Sequence, residues 1–159
     1  MGVLTIKQYE KTGILSVYDL TLPSDEHLNK GVAIIECVQE IPCDPCVGIC
    51  PVNAISMKNI NTVPKIDYEK CTGCKRCVGI CPGLAIFVIK LKGDKALITL
   101  PYEFLPIPKI GETVTALDRE GKPRGKVKVV KVNKSNKTTV VTIEVDKDII
   151  MEVRNIRMD

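Results

Sequence analysis

Eight cysteines stand between Cys37 and Cys81, and the chain has no others. Four of them read Cys71-Thr72-Gly73-Cys74-Lys75-Arg76-Cys77-Val78-Gly79-Ile80-Cys81-Pro82, which is the spacing C-x2-C-x2-C-x3-C-P. Three thiolates two residues apart in a tight loop can wrap three corners of an iron–sulfur cubane. The fourth opens the next element and points away, so it serves another cluster. The proline behind it turns the chain toward a strand. The other four run Cys37-x5-Cys43-x2-Cys46-x3-Cys50-Pro51. The last three keep the spacing, but Glu40 stands where the first thiol belongs and Cys37 lies earlier. This reads as a longer loop that still delivers a thiolate. The likeness of the two runs continues past the thiols. Cys50-Pro51-Val52-Asn53-Ala54-Ile55 parallels Cys81-Pro82-Gly83-Leu84-Ala85-Ile86, so the segment is two copies of one unit.

Other uses of cysteine fit less well. Zinc ribbons take four thiols per ion and do not require a triple spacing closed by Cys-Pro. Disulfides do not suit a reducing compartment, and a cytoplasmic location is expected, since no basic and apolar leader opens the chain. Residues 31–92 resemble the bacterial-type two-cluster ferredoxins, whose fold is a pseudo-twofold α+β arrangement. In that family the fourth cysteine of each run ligates the other cluster. The resemblance therefore implies two [4Fe–4S] clusters. Cys37, Cys43, Cys46 and Cys81 would hold one, and Cys71, Cys74, Cys77 and Cys50 the other.

The two loops differ in what surrounds the thiols. Pro42, Asp44 and Pro45 flank Cys43 and Cys46, with few N–H donors and one negative charge. Thr72, Gly73, Lys75 and Arg76 flank Cys74, with free N–H groups and two positive charges. Donors and positive charge favour the reduced cluster. The Cys71/Cys74/Cys77/Cys50 cluster is therefore expected to take the electron first.

Four segments must position these thiols. Residues 1–30 are an N-terminal extension in which Leu22-Pro23-Ser24-Asp25-Glu26 reads as a turn into a helix. Residues 31–92 carry the cysteines. Residues 93–110 form a connector with Pro101, Pro106 and Pro108. Residues 111–159 read as strands, because Lys126–Val129 and Val141–Val145 alternate apolar with polar residues. Turns are expected at 121–125 and 133–137. With further strands at 96–100, 113–118 and 151–156, a small all-β barrel is expected, serving as a docking module.

Composition narrows the function. One His leaves little room for His-based metal sites or a His-dependent triad. Aromatic residues are 4% and Trp is absent, so a base-stacking platform is not expected. The run Arg119, Lys122, Arg124, Lys126, Lys128, Lys131, Lys134, Lys137 reads as a solvated face rather than a nucleic-acid surface. His27, Asp67 and Glu69 read as surface residues. No apolar run is long enough to span a bilayer. The net charge of +4 counts the thiols as neutral, and eight thiolates on two oxidised cores bring the loaded protein to about zero.

The whole chain is similar to the small iron–sulfur subunits of multi-subunit, flavin-dependent amino-acid (proline-type) dehydrogenases of anaerobes and archaea. The residues that carry this likeness are Ile35–Cys46, Leu100–Pro106 and Val153-Arg154-Asn155-Ile156. It implies a non-catalytic electron-transfer subunit in a hetero-oligomer with flavin-containing dehydrogenase subunits. The chain has no Gly-rich dinucleotide fingerprint of its own. A free-standing soluble ferredoxin is the first alternative. A cluster-bearing nucleic-acid-binding or regulatory protein is the second.

Overall fold

The computed structural model describes residues 6–159. The reading of the leader rests partly on residues 1–5, which lie outside that range. Two short helices come first, α1 (Gln8–Thr12) and α2 (Asp25–Lys30). The turn expected at 22–26 is the start of α2, where the Ser24 hydroxyl accepts from the His27 N–H, a side-chain cap. The cysteine segment follows as β1 (Val32–Ile35), α3 (Pro45–Ile49), β2 (Ile55–Ser56), β3 (Lys65–Ile66), α4 (Arg76–Ile80) and β4 (Ile86–Lys92). Each sequence copy is thus strand, helix, strand. The copies interlock through their strands: β1 pairs with β4 and β2 with β3, both antiparallel.

The chain then adds β5 (Lys95–Tyr102), β6 (Thr113–Asp118), β7 (Pro123–Ser135), β8 (Thr138–Asp146) and β9 (Val153–Arg157). These strands do not close the small barrel that the sequence reading expected. They extend the sheet that β1 and β4 begin, in the order β1-β4-β5-β8-β7-β6-β9. The reason is local. A two-residue turn at Gly93-Asp94 follows Lys92, and Lys92 pairs with Lys95. Gly93 has φ +59° there, which a tight hairpin turn favours. The open edge of β4 is thereby satisfied by β5 instead of being left as a free edge. At the other hairpin, β7 runs on to Ser135, so the turn expected over 133–137 shrinks to Asn136-Lys137, with Asn136 at φ +58°.

Alternation sends each strand's side chains to two cores. Phe87 and Ile89 of β4, Val32 and Ile34 of β1, and Val141 and Ile143 of β8 enter the larger one. Ile86, Val88, Ala33 and Val140 point the other way, to a second core shared with Cys46, Cys77 and Val78. The cysteine layer therefore packs on one face of the sheet. The β6 and β9 strands supply the opposite core with Val114, Ala116, Val153 and Ile156. Register shifts between Val129 and Lys131 in β7 and around Leu117 in β6 are bulges of the kind that bend a strand.

Candidate metal centre

The two halves of the cysteine segment build the same local device. Cys50 and Cys81 end α3 and α4. Three residues on, Asn53 and Leu84 both take positive φ, +50° and +53°. That turn brings a main-chain N–H back onto the sulfur one residue later. Ala54 N–H donates to Cys50 Sγ at 3.2 Å and Ala85 N–H to Cys81 Sγ at 3.5 Å. Asn accepts the left-handed conformation readily, whereas Leu adopts it at a cost.

The loops ahead of the helices are pinned to the sheet. Glu36 N–H donates to Ala85 O at 2.7 Å at the end of β1, and Cys43 N–H donates to Ile60 O at 3.1 Å. In the second loop Cys71 N–H donates to Asp67 O at 3.1 Å, and Cys71 Sγ accepts from Ala33 N–H at 3.4 Å. Gly73 takes φ +64° with its α-carbon against Gly31. A Cβ there would stand 2.6 Å from Gly31 O, so a larger residue would push the loop off the sheet.

These turns gather the thiols by quartet and across the repeat. Cys50, Cys71, Cys74 and Cys77 line one cavity together with Ala33 and Val88. Cys50 comes from the first run and reaches the thiols of the second. Burial pushes the Cys77 thiol up to about 12, helped by the neighbouring Cys71, Cys74 and Cys50. Two thiols of the other set are shifted as well. Burial pushes Cys46 up to about 11, and Cys81, Cys37 and Cys43 add to it. Burial also raises Cys37, against a main-chain N–H from Gln39, with Cys81 and Cys43 as its charged neighbours. Cys50 is the exception among the shifted thiols. Burial pushes it up, but the N–H groups of Ala54, Val52, Ile55 and Asn53 outweigh that and leave it below its ordinary value.

Among the described residues, no three His, Cys, Asp or Glu side chains are gathered as for one metal ion. Cys50, Cys71, Cys74 and Cys77 nevertheless share the lining of one cavity. All-sulfur quartets with main-chain donors aimed at sulfur suit an iron–sulfur core.

Asp67 and Glu69 are exposed and His27 is half-buried, in keeping with their reading as surface residues, but they are not isolated. His27 Nε2 and Glu69 Oε1 lie 2.8 Å apart, and Lys30 Nζ is 3.6 Å from Glu69 Oε2. The Tyr68 hydroxyl donates to Thr21 O at 2.7 Å. Together these tie α2 to the chain just before Cys71. Asp67 Oδ1 accepts from Glu69 N–H at 3.0 Å and shapes the same turn. The partners are 42 residues apart, beyond what a local pattern can show. The basic run is exposed, as its reading as a solvated face expected, except at Arg119, although some of its members are paired. Arg119 bonds Glu36, Arg124 bonds Asp118 at 2.7 Å, and Lys126 pairs with Asp159.

Sequence reasoning gave no role to the buried triad of Glu36, Arg119 and Arg154. Glu36 Oε1 accepts from Arg154 Nε and from Arg119 Nη2, both at 2.6 Å, and Glu36 Oε2 from Arg119 Nε at 3.1 Å. Burial alone would raise Glu36, but the two guanidiniums hold it below the usual carboxylate range. Arg154 also lies 5.1 Å from the centre of the Phe87 ring. Glu36 directly precedes Cys37, so the far end of the sheet is bolted to the start of the first thiol loop. Both Glu36 and Arg154 lie in stretches that carry the whole-chain likeness, and that was the available signal.

Residues 64–87 match the family described as 4Fe-4S binding domain. No curated protein and no solved structure matches the chain. The matched stretch holds Cys71, Cys74, Cys77 and Cys81. It indicates a 4Fe-4S cluster and supports an iron–sulfur electron-transfer role. No helix among the described residues is long and apolar enough to cross a membrane.

Proposed function

We propose that this chain is a two-cluster electron carrier, a non-catalytic subunit that passes electrons between a flavin-containing amine or amino-acid dehydrogenase partner and an acceptor. One cluster is held by Cys37, Cys43, Cys46 and Cys81, the other by Cys71, Cys74, Cys77 and Cys50, in a pseudo-twofold ferredoxin-like unit. The observation that supports this reading is where the fourth thiols lie. Cys50 lines the cavity of the second run, and Cys81 is the neighbour of Cys46 and Cys37. The clusters, when bound, supply one-electron redox chemistry at low potential. The chain's own residues hold the thiolates, donate N–H bonds to sulfur from Ala33, Ala54 and Ala85, and exclude water through Val78, Ile86 and Val88. The strands beyond β4 act as the docking module, in a cytoplasmic assembly without nucleic acid.

The test is anaerobic purification of tagged protein from its native host. Iron and sulfide analysis should give about eight of each per chain, with a flavoprotein co-purifying. About four iron would remove the second cluster, and a chain that emerges alone would favour a free-standing ferredoxin. The order of reduction is tested by an EPR-monitored redox titration of a Cys74 variant. The higher-potential signal should be the one lost.

A further inference from the structure

Three lysines converge on one cavity beside the second thiol loop. The cavity, of about 250 Å³, lies between that loop and the sheet, and is lined by Lys30, Thr72, Lys75, Lys90, Leu97 and Thr99 among others. Its floor follows the strand register. Val88 faces Thr99, Thr99 faces Thr142, and Thr142 faces Lys131. This row places Lys131 on the same face of the sheet as the cavity. The Thr99 and Thr142 hydroxyls are 2.8 Å apart and buried. Gly31 packs on the aliphatic stem of Lys90, where a Cβ would meet Cδ at 3.2 Å, so that stem has a fixed bed.

These ammonium groups lack counter-charges. Among the described residues Lys75, Lys90 and Lys131 make no ion pair, whereas Lys30 meets Glu69 at 3.6 Å and Lys92 meets Glu144 at 3.9 Å. Glu144 is the carboxylate of the neighbouring row, opposite Leu97 and Lys128, and it is turned to Lys92. Lys75 and Lys90 line the cavity together, and Lys131 lies on the same face of the sheet through its pairing with Thr142. Gathering like charges costs free energy unless an anion joins them.

We propose that this cavity binds a phosphate-type dianion, held by Lys75, Lys90 and Lys131 with hydroxyl contacts from Thr72, and that its occupancy lowers the potential of the adjacent cluster. A concave, lysine- and threonine-lined site suits a compact tetrahedral oxyanion, which takes several charge-assisted bonds at once. The cavity shares Thr72, Gly73, Lys75 and Val88 with the one lined by Cys50, Cys71, Cys74 and Cys77. The redox coupling rests on the cluster reading above. A dianion there opposes the extra electron, and by linkage reduction weakens anion binding to the same extent.

The experiment uses the full, anaerobically purified chain at constant ionic strength. Phosphorus NMR and calorimetry follow inorganic phosphate, glycerol phosphate and a polyglutamate peptide. Wild type should bind phosphate, and Lys90→Gln and Lys131→Gln should each weaken it roughly tenfold, while Lys122→Gln, remote from the cavity, should not. Tighter binding of glycerol phosphate would identify a phosphomonoester as the ligand, and equal or weaker binding would identify free phosphate. Equal phosphate binding by wild type and the Lys90→Gln/Lys131→Gln double variant overturns the site. So does binding of the peptide without phosphate. In a parallel redox titration, saturating phosphate should lower the potential of the Cys71/Cys74/Cys77/Cys50 signal in wild type and not in the double variant, and no shift overturns the coupling. Iron analysis of the same sample reads the cluster assignment separately from the binding isotherm.

Discussion

Arg154 Nε donates to Glu36 Oε1 at 2.6 Å across 118 positions of the chain. Both side chains are buried, at 5% and 7% exposure. An ion pair in such a place contributes little net stability over an apolar substitute, but removing one partner strands the other. Glu36→Gln would leave the guanidiniums of Arg119 and Arg154 buried without a carboxylate. Its expected cost is roughly 3–5 kcal/mol, read by denaturant unfolding of the iron-loaded protein. A loss under about 1 kcal/mol, the value of an exposed pair, would show that the triad is not closed in solution.

The proposed exchange of fourth thiols gives a sharper test than iron counting. Cys50→Ser should alter the EPR signal of the cluster held by Cys71, Cys74 and Cys77, whose cavity it lines. The cluster nearest to Cys50 in sequence should keep its signal. Cys81→Ser should do the reverse. If each substitution disturbs the cluster of its own run, the exchange does not occur.

Gly48 and Gly79 occupy matching places in α3 and α4, yet their surroundings differ. A Cβ on Gly79 would collide with the Cβ and Oγ of Ser135, at the tip of the β7–β8 hairpin, while a Cβ on Gly48 meets nothing within 4 Å. Gly79→Ala should therefore destabilise by about 1–3 kcal/mol through overpacking. Gly48→Ala should be neutral or stabilise by up to about 1 kcal/mol, the helix-propensity gain. Adding Ser135→Gly should recover much of the Gly79→Ala loss. Thermal unfolding midpoints of the four proteins decide it, and equal effects at the two glycines would sink the asymmetry.

Asp118 closes the turn between β6 and β7. It accepts from Glu120 N–H and Lys122 N–H, each at 2.9 Å, and from Arg124. Burial pushes its carboxyl up, but these donors outweigh burial and hold it below its ordinary value. The folded carboxyl thus binds its proton less readily than the unfolded one. Its stabilisation is full above the unfolded value of about 3.9 and fades as pH falls through the lower folded one. The stability advantage of wild type over Asp118→Asn should therefore be level at neutral pH and shrink under acid. A constant gap down to strong acid would contradict this.

How much of this was legible in the sequence differs by element. The thiol spacing is a local pattern, and the match over residues 64–87 agrees with it for the second run. Thr113–Asp118 formed the strand expected over 113–118. The barrel failed because alternation shows strands but not which strand borders which, and the Gly93-Asp94 turn, the local sign that β5 continues the sheet of the cysteine segment, lay inside residues read as a connector. Pairings such as His27 with Glu69 and Glu36 with Arg154 have no periodic trace. They depend on a fold that brings distant loops together, so each residue alone read as an ordinary surface or strand position.

The single sheet that runs from β1 to β9 has a consequence for transplantation. A fragment cut after Lys92 would lose β5 from the edge of β4. It would bare Val88 and Ile89, remove Val140 from beside Val78, and orphan Glu36. The cysteine-bearing portion is therefore not a cassette that can be moved to another protein by sequence boundaries alone. A graft would need the partner strands, or replacements for them, before its thiol loops could hold their shape.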